Sequence, residues 1–384
     1  MSASPGKTLT RPEDLIAAGY AAPGEAAALA EVAARYSIAV PSGVAALIET
    51  RDDPIARQFL PDAAELTLLP QERADPIGDD AHESVRGLIH RYPDRTLLKL
   101  TSVCPVYCRF CFRRERVGAG TEGLLDAPAL DAAFAYLAAH EEIWELIVTG
   151  GDPLAVSPRR LAELGARLRS LDHIKILRFH SRVPALTPER VTDELIDALR
   201  ASGKTVYVAL HANHPRELTA AARAACALLI DAGIVMVSQS VLLRGVNDDV
   251  ETLSALMRAF VENRIKPYYL HHADLAPGTS HLRLPLEEGQ ALVRGLLGRV
   301  SGLCQPIYVV DIPGGHGKAP AGPAYWRREG AHWRVEDWRG TSHAYADPLP
   351  PAMDDAPEGG EMNVRTRALK DDLGATRADR RGGG

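Results

Sequence analysis

The sequence has 384 residues, of which 46% are hydrophobic and 24% are charged, as in ordinary globular proteins. Its formal net charge of −6 gives no reason to expect a nucleic-acid partner. No stretch approaches the roughly 18 uninterrupted apolar residues of a membrane-spanning helix. Five cysteines and no apolar leader segment argue against a disulfide-stapled secreted domain, so we expect a cytoplasmic protein.

Helical patterns occupy the first part of the chain. They lie in the segments PEDLIAAG, PGEAAALAEVAARYSI and SGVAALIE, which Pro and Ser residues separate. An acidic turn, ADPIGDD, follows at residues 74–80. We therefore expect a helical N-terminal lobe over residues 1–89.

From residue 96, short apolar segments alternate with amphipathic segments of helical length. The strand-like segments are TLLKLT, ELIVTG, IKILRFHS, TVYVALH, VMVSQSVLL, KPYYLHH and PIYVVDI. Such alternation predicts βαβ units around a parallel sheet, hence an α/β fold with a full or partial barrel over residues 90–320. Polar motifs follow several of these strands, which is where α/β sheets bind ligands.

Two further segments complete the predicted organisation. Residues 321–348 are rich in Trp and Tyr and predict a small hairpin-like C-terminal extension. Residues 349–384 carry acidic turns and glycine pairs, and we expect them to form a disordered tail.

Three of the five cysteines, Cys104, Cys108 and Cys111, lie close together in the spacing C-x3-C-x2-C. Thiolates this close can bind one soft metal centre. Structural zinc usually takes four Cys or His ligands, and His90 and His140 are too far away in sequence to be obvious fourth ligands. We therefore favour an iron–sulfur cluster, with zinc as the alternative. Three protein ligands would leave one iron of a cubane open to another molecule.

A glycine-rich loop, PGGHGK, ends at Lys318 after a strand-like segment. It does not match a phosphate-binding P-loop, because Ile312 stands at the first glycine position and Ala319 replaces Ser or Thr. A lysine amine can instead form a Schiff base with pyridoxal phosphate (PLP).

The cysteine spacing resembles the cluster signature of the radical S-adenosylmethionine (SAM) enzymes. Residues 90–118, HRYPDRTLLKLTSVCPVYCRFCFRRERVG, are similar to the lysine 2,3-aminomutase family within that superfamily. The segments IVTGGDPL, HSRVP, LHANHP, QSVLLRGVND and VVDIPGGHGK resemble the same family in the same order. The resemblance implies a radical SAM partial (β/α) barrel that uses a [4Fe–4S] cluster, SAM and PLP.

The resemblance also implies roles for individual residues. The three cysteines would hold the cluster, and Lys318 would form an aldimine with PLP. His316 stands where the family often has glycine. The positions implied to contact SAM or PLP are Arg91, Tyr92, Arg95, Gly150, Gly151, Asp152, His211, Gln239 and Asn247.

Asp274 and Asp311 each follow a strand-like segment. Aspartates at such positions are most often helix caps or turn formers. Two carboxylates in one pocket would instead suit a long substrate that ends in an ammonium group. The resemblance implies that they hold the far amine of lysine and that Arg113 holds its carboxylate. This pairing favours lysine over glutamate, whose acidic side chain the two aspartates would repel.

The resemblance also bears on partners. It implies a small-molecule substrate and an external one-electron reductant such as flavodoxin or ferredoxin, with no nucleic-acid or membrane partner, and we expect a homo-oligomer. Some family members carry a structural zinc site that uses a cysteine just after the GVND stretch. That position is Asp249 here and no cysteine follows Cys304, so we expect this zinc to be absent.

These observations predict an isomerase, an L-lysine 2,3-aminomutase that uses a 5′-deoxyadenosyl radical and a PLP aldimine to interconvert lysine and β-lysine. One alternative is a relative that makes β-lysine for elongation factor P, although such relatives tend to be shorter. Another is an aminomutase for a related amino acid. A non-catalytic iron–sulfur or zinc scaffold would explain the cysteines, but not Lys318, Asp274 and Asp311 at strand ends.

Overall fold

A computed structural model describes residues 6–118, 121, 123–330 and 332–346. The chain divides into two units, of which the first ends at Pro323 and the second begins at Ala324. The tail expected at residues 349–384 lies outside the described residues. The domain boundaries expected at residues 89 and 320 stay predictions.

Short helices precede the first strand, as the sequence patterns indicated. They are α1 (Pro12–Ala17), α2 (Ala26–Arg35), α3 (Ser42–Ala45) and α4 (Ala56–Phe59). Their buried residues Leu15 and Phe59 belong to the same apolar cluster as Leu98 and Val148 of the main sheet. The N-terminal helices therefore share one hydrophobic core with the sheet.

The first unit is built around a ten-stranded sheet whose strands follow one another in sequence order. The strands are β1 (Glu83–Val85), β2 (Leu88–Tyr92), β3 (Arg95–Thr101), β4 (Glu145–Gly150), β5 (Ile176–Ser181), β6 (Thr205–His211), β7 (Val235–Leu242), β8 (Lys266–His272), β9 (Ile307–Asp311) and β10 (Lys318–Pro320). Strands β3 to β9 are parallel, and β1, β2 and β10 add antiparallel edges. Within the described residues β1 and β10 do not pair, so the sheet is an open, partial barrel and the predicted fold class is confirmed.

Helices connect the parallel strands, as expected for βαβ units. They are α5 (Ala127–Ala139), α6 (Pro158–Leu168), α7 (Val183–Leu186), α8 (Asp193–Arg200), α9 (Ala220–Asp231), α10 (Val250–Glu262) and α11 (Leu286–Leu296). No helix in the described part of the chain is long and apolar enough to cross a membrane.

Polar side chains mark where several of these helices begin. Asp126, Thr192, Thr219 and Asp249 each accept a hydrogen bond from a backbone N–H in the first turn of the helix that follows. These bonds satisfy amides that have no partner within the helix. Asp249 therefore serves as the N-cap of α10.

The second unit contains a three-stranded antiparallel sheet in the region where the sequence predicted a hairpin-like extension. Its strands are β11 (Trp326–Glu329), β12 (His332–Glu336) and β13 (Ser342–Tyr345). Trp326 and Tyr345 pack edge to face, with ring centroids 5.3 Å apart. Such aromatic contacts stabilise a sheet that has few aliphatic residues of its own.

The shared core leads to a prediction about cooperativity. Phe59→Ala should lower the free energy of unfolding of the first unit by about 3–5 kcal/mol, because it opens a cavity in the core that α4 shares with the sheet. Urea unfolding followed by circular dichroism measures this change. Leu68→Ala, at a position 54% exposed, is the control and should change little. An early transition limited to the N-terminal helices, with the rest unaffected, would contradict the shared core.

Candidate active site

The carboxyl ends of the parallel strands bring the sequence motifs to one edge of the main sheet. In chain order, these ends carry the cysteine loop after β3, Gly150 of β4, Arg182 after β5, His211 of β6, Asp274 after β8 and Asp311 of β9. Loops at this edge are where α/β sheets bind ligands. Motifs far apart in sequence therefore share one site.

The three cysteines line a single pocket in the loop after β3. Burial raises the pKa of all three thiols, that of Cys111 to about 11. Arg182 Nη1 donates a hydrogen bond to Cys108 Sγ at 3.0 Å, which favours a negatively charged sulfur. No three His, Cys, Asp or Glu side chains in the described ranges are placed to hold a single metal ion. A cubane cluster distributes its cysteines over separate irons, so sulfurs spread around one pocket fit it.

A fully buried glutamate from the N-terminal region holds the cysteine loop in place through two of its arginines. Glu65, in a single helical turn of the N-terminal region, accepts hydrogen bonds from Arg109 at 2.9 and 2.5 Å and also pairs with Arg114. Both arginines are nearly inaccessible to solvent. Burial acts to raise the pKa of Glu65, but the two guanidinium groups hold it below its usual value. One carboxylate therefore pairs with two cations beside the cysteines, and the cluster of three groups keeps one net positive charge.

The glycine pair at the end of β4 allows the chain to pass close to the cysteine loop. Gly150 has a φ of +119°, and a Cβ atom there would collide with the carbonyl oxygen of Thr101. A Cβ on Gly151 would collide with the carbonyl oxygen of Val103. Both glycines are thus required by close backbone packing against the segment that leads to Cys104. The backbone N–H groups of Gly151 and Asp152 donate to the carbonyl oxygens of Thr101 and Val103, which ties the end of β4 to this segment.

The carboxylate of Asp152 forms hydrogen bonds with neighbouring residues of the chain. Its carboxylate accepts hydrogen bonds from Ser181 Oγ at 2.7 Å, from the Arg182 backbone N–H at 2.8 Å and from the Leu154 backbone N–H at 3.0 Å. Burial raises its pKa. The side chain therefore ties the end of β4 to the end of β5, and its assignment as a SAM contact stays a prediction.

Lys318 is the first residue of β10 and pairs with Asp311, the last residue of β9. Its backbone N–H donates to Tyr92 Oη at 2.8 Å, and its Nζ donates to Asp311 Oδ1 at 2.5 Å. His271 Nδ1 lies 3.3 Å from the other oxygen of Asp311. The Arg95 guanidinium lies 3.9 Å from the centroid of the Tyr92 ring. These contacts bring residues from both edges of the open sheet together.

Lys318 also lines a cavity of about 210 Å³ with the other residues that the resemblance assigned to PLP, namely Arg91, Tyr92 and Arg95. Other residues lining this cavity are Thr96 and His180. The buried atoms Arg91 Nε, Thr96 Oγ1 and His180 Nε2 have no hydrogen-bond partner within the described residues. Because buried polar atoms normally have partners, this cavity suits a polar ligand, and its arginines suit an anionic one.

Asp274 and Asp311 differ in charge although they share this site. Burial raises the pKa of Asp274 to about 7, and the negative charge of Asp311 adds to the effect. Burial acts in the same direction on Asp311, but His271 and the Lys318 ammonium lower its pKa to about 2. Asp311 is therefore ionised when Lys318 is beside it, whereas Asp274 titrates near neutral pH.

Arg113 reaches the same site, where its charge acts on Asp274. It is 8% exposed and donates to Asp79 Oδ2 from both Nε (3.2 Å) and Nη2 (2.8 Å), while Nη1 donates to Thr149 Oγ1 at 3.3 Å. The predicted carboxylate-binding arginine thus lies near enough to Asp274, one of the two predicted ammonium-binding aspartates, for its charge to act on that carboxyl group.

His211 and Gln239 form a pair at the ends of adjacent strands. His211 Nε2 lies 2.8 Å from Gln239 Oε1, and burial lowers the pKa of His211 to about 3. The histidine is therefore neutral at physiological pH and contributes a polar lining. Asn247 bonds to the backbone of Asn213 and Val241, both at 2.9 Å, and so supports the loop after β7.

Some residues of the site were not identified from the sequence. Asp79 lies in the acidic turn that we noted without assigning a role, and Glu65 gave no signal because it lies outside every motif. Arg182 lies within the HSRVP segment, yet only the folded chain places it on Cys108. His271 contacts Asp311, a contact that no sequence motif indicated.

Comparison with known proteins agrees with this geometry. The sequence profile of the radical SAM superfamily matches residues 98–256. The L-lysine 2,3-aminomutase of Acetoanaerobium sticklandii is 40% identical over 72% of this chain and 67% of its own length. That of Clostridium subterminale is 39% identical over 79% and 73%, and that of Escherichia coli is 38% identical over 70% and 78%. A radical SAM methyltransferase structure from Sphaerobacter thermophilus, with 19% identity and a TM-score of 0.41 over 58% of this chain and 68% of its own, is too distant to add to the argument.

The profile and the cysteine pocket define a radical SAM protein. Proteins of this superfamily use a [4Fe–4S] cluster and SAM, together with a substrate and an external electron donor. At the identities and coverage of these relatives, the chain belongs to the lysine 2,3-aminomutase family, whose members are isomerases.

The buried Glu65 contacts predict a link between stability and cluster content. Glu65→Gln should destabilise the first unit by about 3–5 kcal/mol and lower its iron content, because two buried guanidinium groups lose their counter-charge. Denaturant unfolding and iron analysis of the reconstituted protein measure these effects. Glu31→Gln removes an exposed helical pair with Arg35 and should change neither quantity. Normal iron content in Glu65→Gln would show that the cysteine loop does not depend on this carboxylate.

Proposed function

We propose that this protein interconverts L-lysine and β-lysine, as the name of its relatives indicates for them. The observation that supports this most directly is that Asp274 lies within reach of the charges of Asp311, Lys318 and Arg113. Two carboxylates and one guanidinium match the far ammonium group and the carboxylate of lysine. A neutral or acidic amino acid would leave the two aspartates without a cation.

The Lys318–Asp311 contact supports this assignment by analogy. The side chain of Lys318 ends in the same primary ammonium group as the substrate, and its Nζ lies on Asp311 Oδ1 at 2.5 Å. Asp311 is thus placed to bind an ammonium group, with His271 holding its second oxygen. When Lys318 engages a cofactor, this position becomes available to the substrate.

PLP is the cofactor that we assign to the cavity beside Lys318. Arg91 and Arg95 would bind its phosphate, Tyr92 would position the Lys318 backbone, and Lys318 Nζ would attach the ring. PLP supplies an electron-accepting ring, and the cluster with SAM supplies a radical. The protein's own residues hold the substrate between these groups and keep it out of water.

The remaining assignments follow from the same proposal. Cys104, Cys108 and Cys111 would bind the cluster, and the backbone around Gly150 and Gly151 would bind SAM next to it. An electron carrier such as flavodoxin or ferredoxin would reduce the cluster. We further propose a cytoplasmic homo-oligomer without a nucleic-acid partner.

Turnover of lysine tests the proposal. Protein reconstituted with iron, sulfide and PLP and assayed anaerobically with SAM and dithionite should convert L-lysine to β-lysine. Asp311→Asn should lower kcat/KM for lysine by about 10²-fold, because a buried charge-assisted contact to the substrate is lost. Lys318→Ala should abolish turnover together with the visible absorbance of bound PLP.

The control for these variants is Asp231→Asn, which removes an exposed pair with Arg264 and should behave as wild type. Protein with full iron and PLP content that makes no β-lysine would refute the proposal. A cluster without PLP binding or turnover would instead favour the scaffold alternative. Unchanged lysine kinetics in Asp311→Asn would remove the argument for substrate specificity.

The pKa of Asp274 predicts a pH dependence. Its value of about 7 means that the carboxyl group is increasingly protonated, and therefore neutral, as the pH falls through neutrality. kcat/KM for lysine should fall in that range, since a neutral Asp274 attracts the ammonium group less strongly. Asp311 has a much lower pKa, to which its hydrogen bond with His271 contributes, so it stays ionised across this range and contributes no such change. The pH profile of wild type and Asp274→Asn measures this effect. An identical decline in both proteins would assign it to another group.

A further inference from the structure

Asp79 is a buried carboxylate at the centre of the site that lies outside every motif used above. It is 4% exposed, and each of its oxygens contacts a different arginine. Oδ1 accepts from Arg91 Nη2 at 3.2 Å. Oδ2 accepts from Arg113 Nη2 at 2.8 Å and from Arg113 Nε at 3.2 Å. One side chain therefore joins the proposed PLP-phosphate arginine to the proposed substrate-carboxylate arginine.

We propose that Asp79 positions Arg91 and Arg113 as a pair, so that affinity for PLP and affinity for the carboxylate of lysine depend on the same residue. This inference rests on the proposed function, because it takes the roles of the two arginines from it. Asp79 also lines the cavity assigned to PLP, but in this scheme it is a positioning residue that acts through the two arginines.

The hydrogen bonds of Arg113 show how such positioning works. A guanidinium group has five N–H donors, one on Nε and two on each Nη. Asp79 takes one donor from Nε and one from Nη2, and Thr149 Oγ1 takes one from Nη1. One donor remains on Nη1 and one on Nη2, which is the number that a bidentate carboxylate contact needs. Asp79 and Thr149 thus fix the plane of the guanidinium and leave that pair available.

Asp79 can do this because the turn that carries it is fixed to both edges of the open sheet. The Asp75 carboxylate accepts from the backbone N–H of Asp79 at 2.9 Å and of Asp80 at 2.8 Å. Gly78, at a φ of +70°, packs so closely on Gly315 that a Cβ atom would collide with the Gly315 backbone. The turn therefore rests directly on the glycine-rich loop that leads to Lys318.

Two further contacts complete this arrangement. His82 Nε2 lies 2.8 Å from the carbonyl oxygen of Gly315, and Arg91 Nη2 donates to the carbonyl oxygen of Ile77 at 2.8 Å. Segment 75–82 consequently spans from β2 to the loop before β10, across the gap between the two sheet edges. A carboxylate on this segment is placed to act on both binding sites at once.

The charges are consistent with the proposed role. Burial acts to raise the pKa of Asp79, but Arg113 and Arg91 hold it below its usual value, so the group is ionised. Two guanidinium groups opposed by one carboxylate leave a net positive charge. That net charge is what the phosphate and the substrate carboxylate require.

The test measures both affinities in one variant. Asp79→Asn keeps the size of the side chain but removes its charge, and it should weaken PLP binding and raise KM for L-lysine by about tenfold each. PLP affinity is read from absorbance titration of the cluster-reconstituted protein, and KM from anaerobic turnover at saturating PLP. An alternative view of the site makes the opposite prediction, since removing a negative charge would by itself attract the substrate carboxylate and lower KM.

Two further variants make the test specific. Thr149→Val removes the second contact to Arg113 but leaves Arg91 untouched, so it should raise KM for lysine without changing PLP affinity. Asp80→Asn removes the neighbouring, exposed pair with Arg116 and should leave both quantities within about twofold of wild type.

The possible outcomes separate the two proposals. Loss of both affinities in Asp79→Asn, with an unchanged melting temperature, supports the coupling. An effect on neither affinity, an effect on only one of them, or a lower KM overturns it. If Asp79→Asn does not fold, Thr149→Val decides whether Arg113 needs a fixed orientation, and an unchanged KM there overturns the inference. A wild-type protein that makes no β-lysine would refute the proposed function, while the PLP titration would still test the contact to Arg91.

Discussion

The site depends above all on the parallel hydrogen bonding of strands β3 to β9. Because every one of these strands runs in the same direction, their carboxyl ends lie at one edge, and residues separated by more than two hundred positions meet there. The sheet is left open between β1 and β10. The catalytic lysine that we propose begins β10, so it lies at one border of that opening, and the arginines of β2 and β3 lie at the other.

Buried arginines at this edge are paired with carboxylates from elsewhere in the chain. Glu65 forms salt bridges with Arg109 and Arg114 beside the cysteines. Asp79 forms salt bridges with Arg91 and Arg113, and Glu217 forms one with Arg182. Burying a guanidinium without a counter-charge is costly, so each of these carboxylates is needed for its arginines to stay in place. The N-terminal region supplies two of the three. It is therefore part of the binding site as well as part of the hydrophobic core.

The two proposed binding functions of Asp311 are linked by chemistry. In this structure Asp311 accepts a hydrogen bond from the ammonium group of Lys318, and in turnover it would accept one from the ammonium group of the substrate. A site that exchanges one primary ammonium group for another keeps the same charge and hydrogen bonds in both states. Among the residues that the structure describes, none places a cation in direct contact with Asp274, and burial raises its pKa to about 7. The pair thus combines one permanently ionised carboxylate with one whose charge depends on its surroundings.

Much of this could be predicted from the sequence, because the relevant signals are local. The spacing of Cys104, Cys108 and Cys111, the alternation of strand-like and helical segments, and the glycine-rich loop at Lys318 each lie within a few dozen residues. They predicted the superfamily and the α/β class, which are confirmed, and the edge of the sheet at which we propose that the chemistry occurs. The partners of Arg113, the contact of Arg182 with Cys108 and the shifted pKa of Asp274 were decided only by the tertiary structure. Each of these three features depends on burial and on a side chain from a distant segment. Burial and long-range contacts cannot be read from the order of residues along the chain.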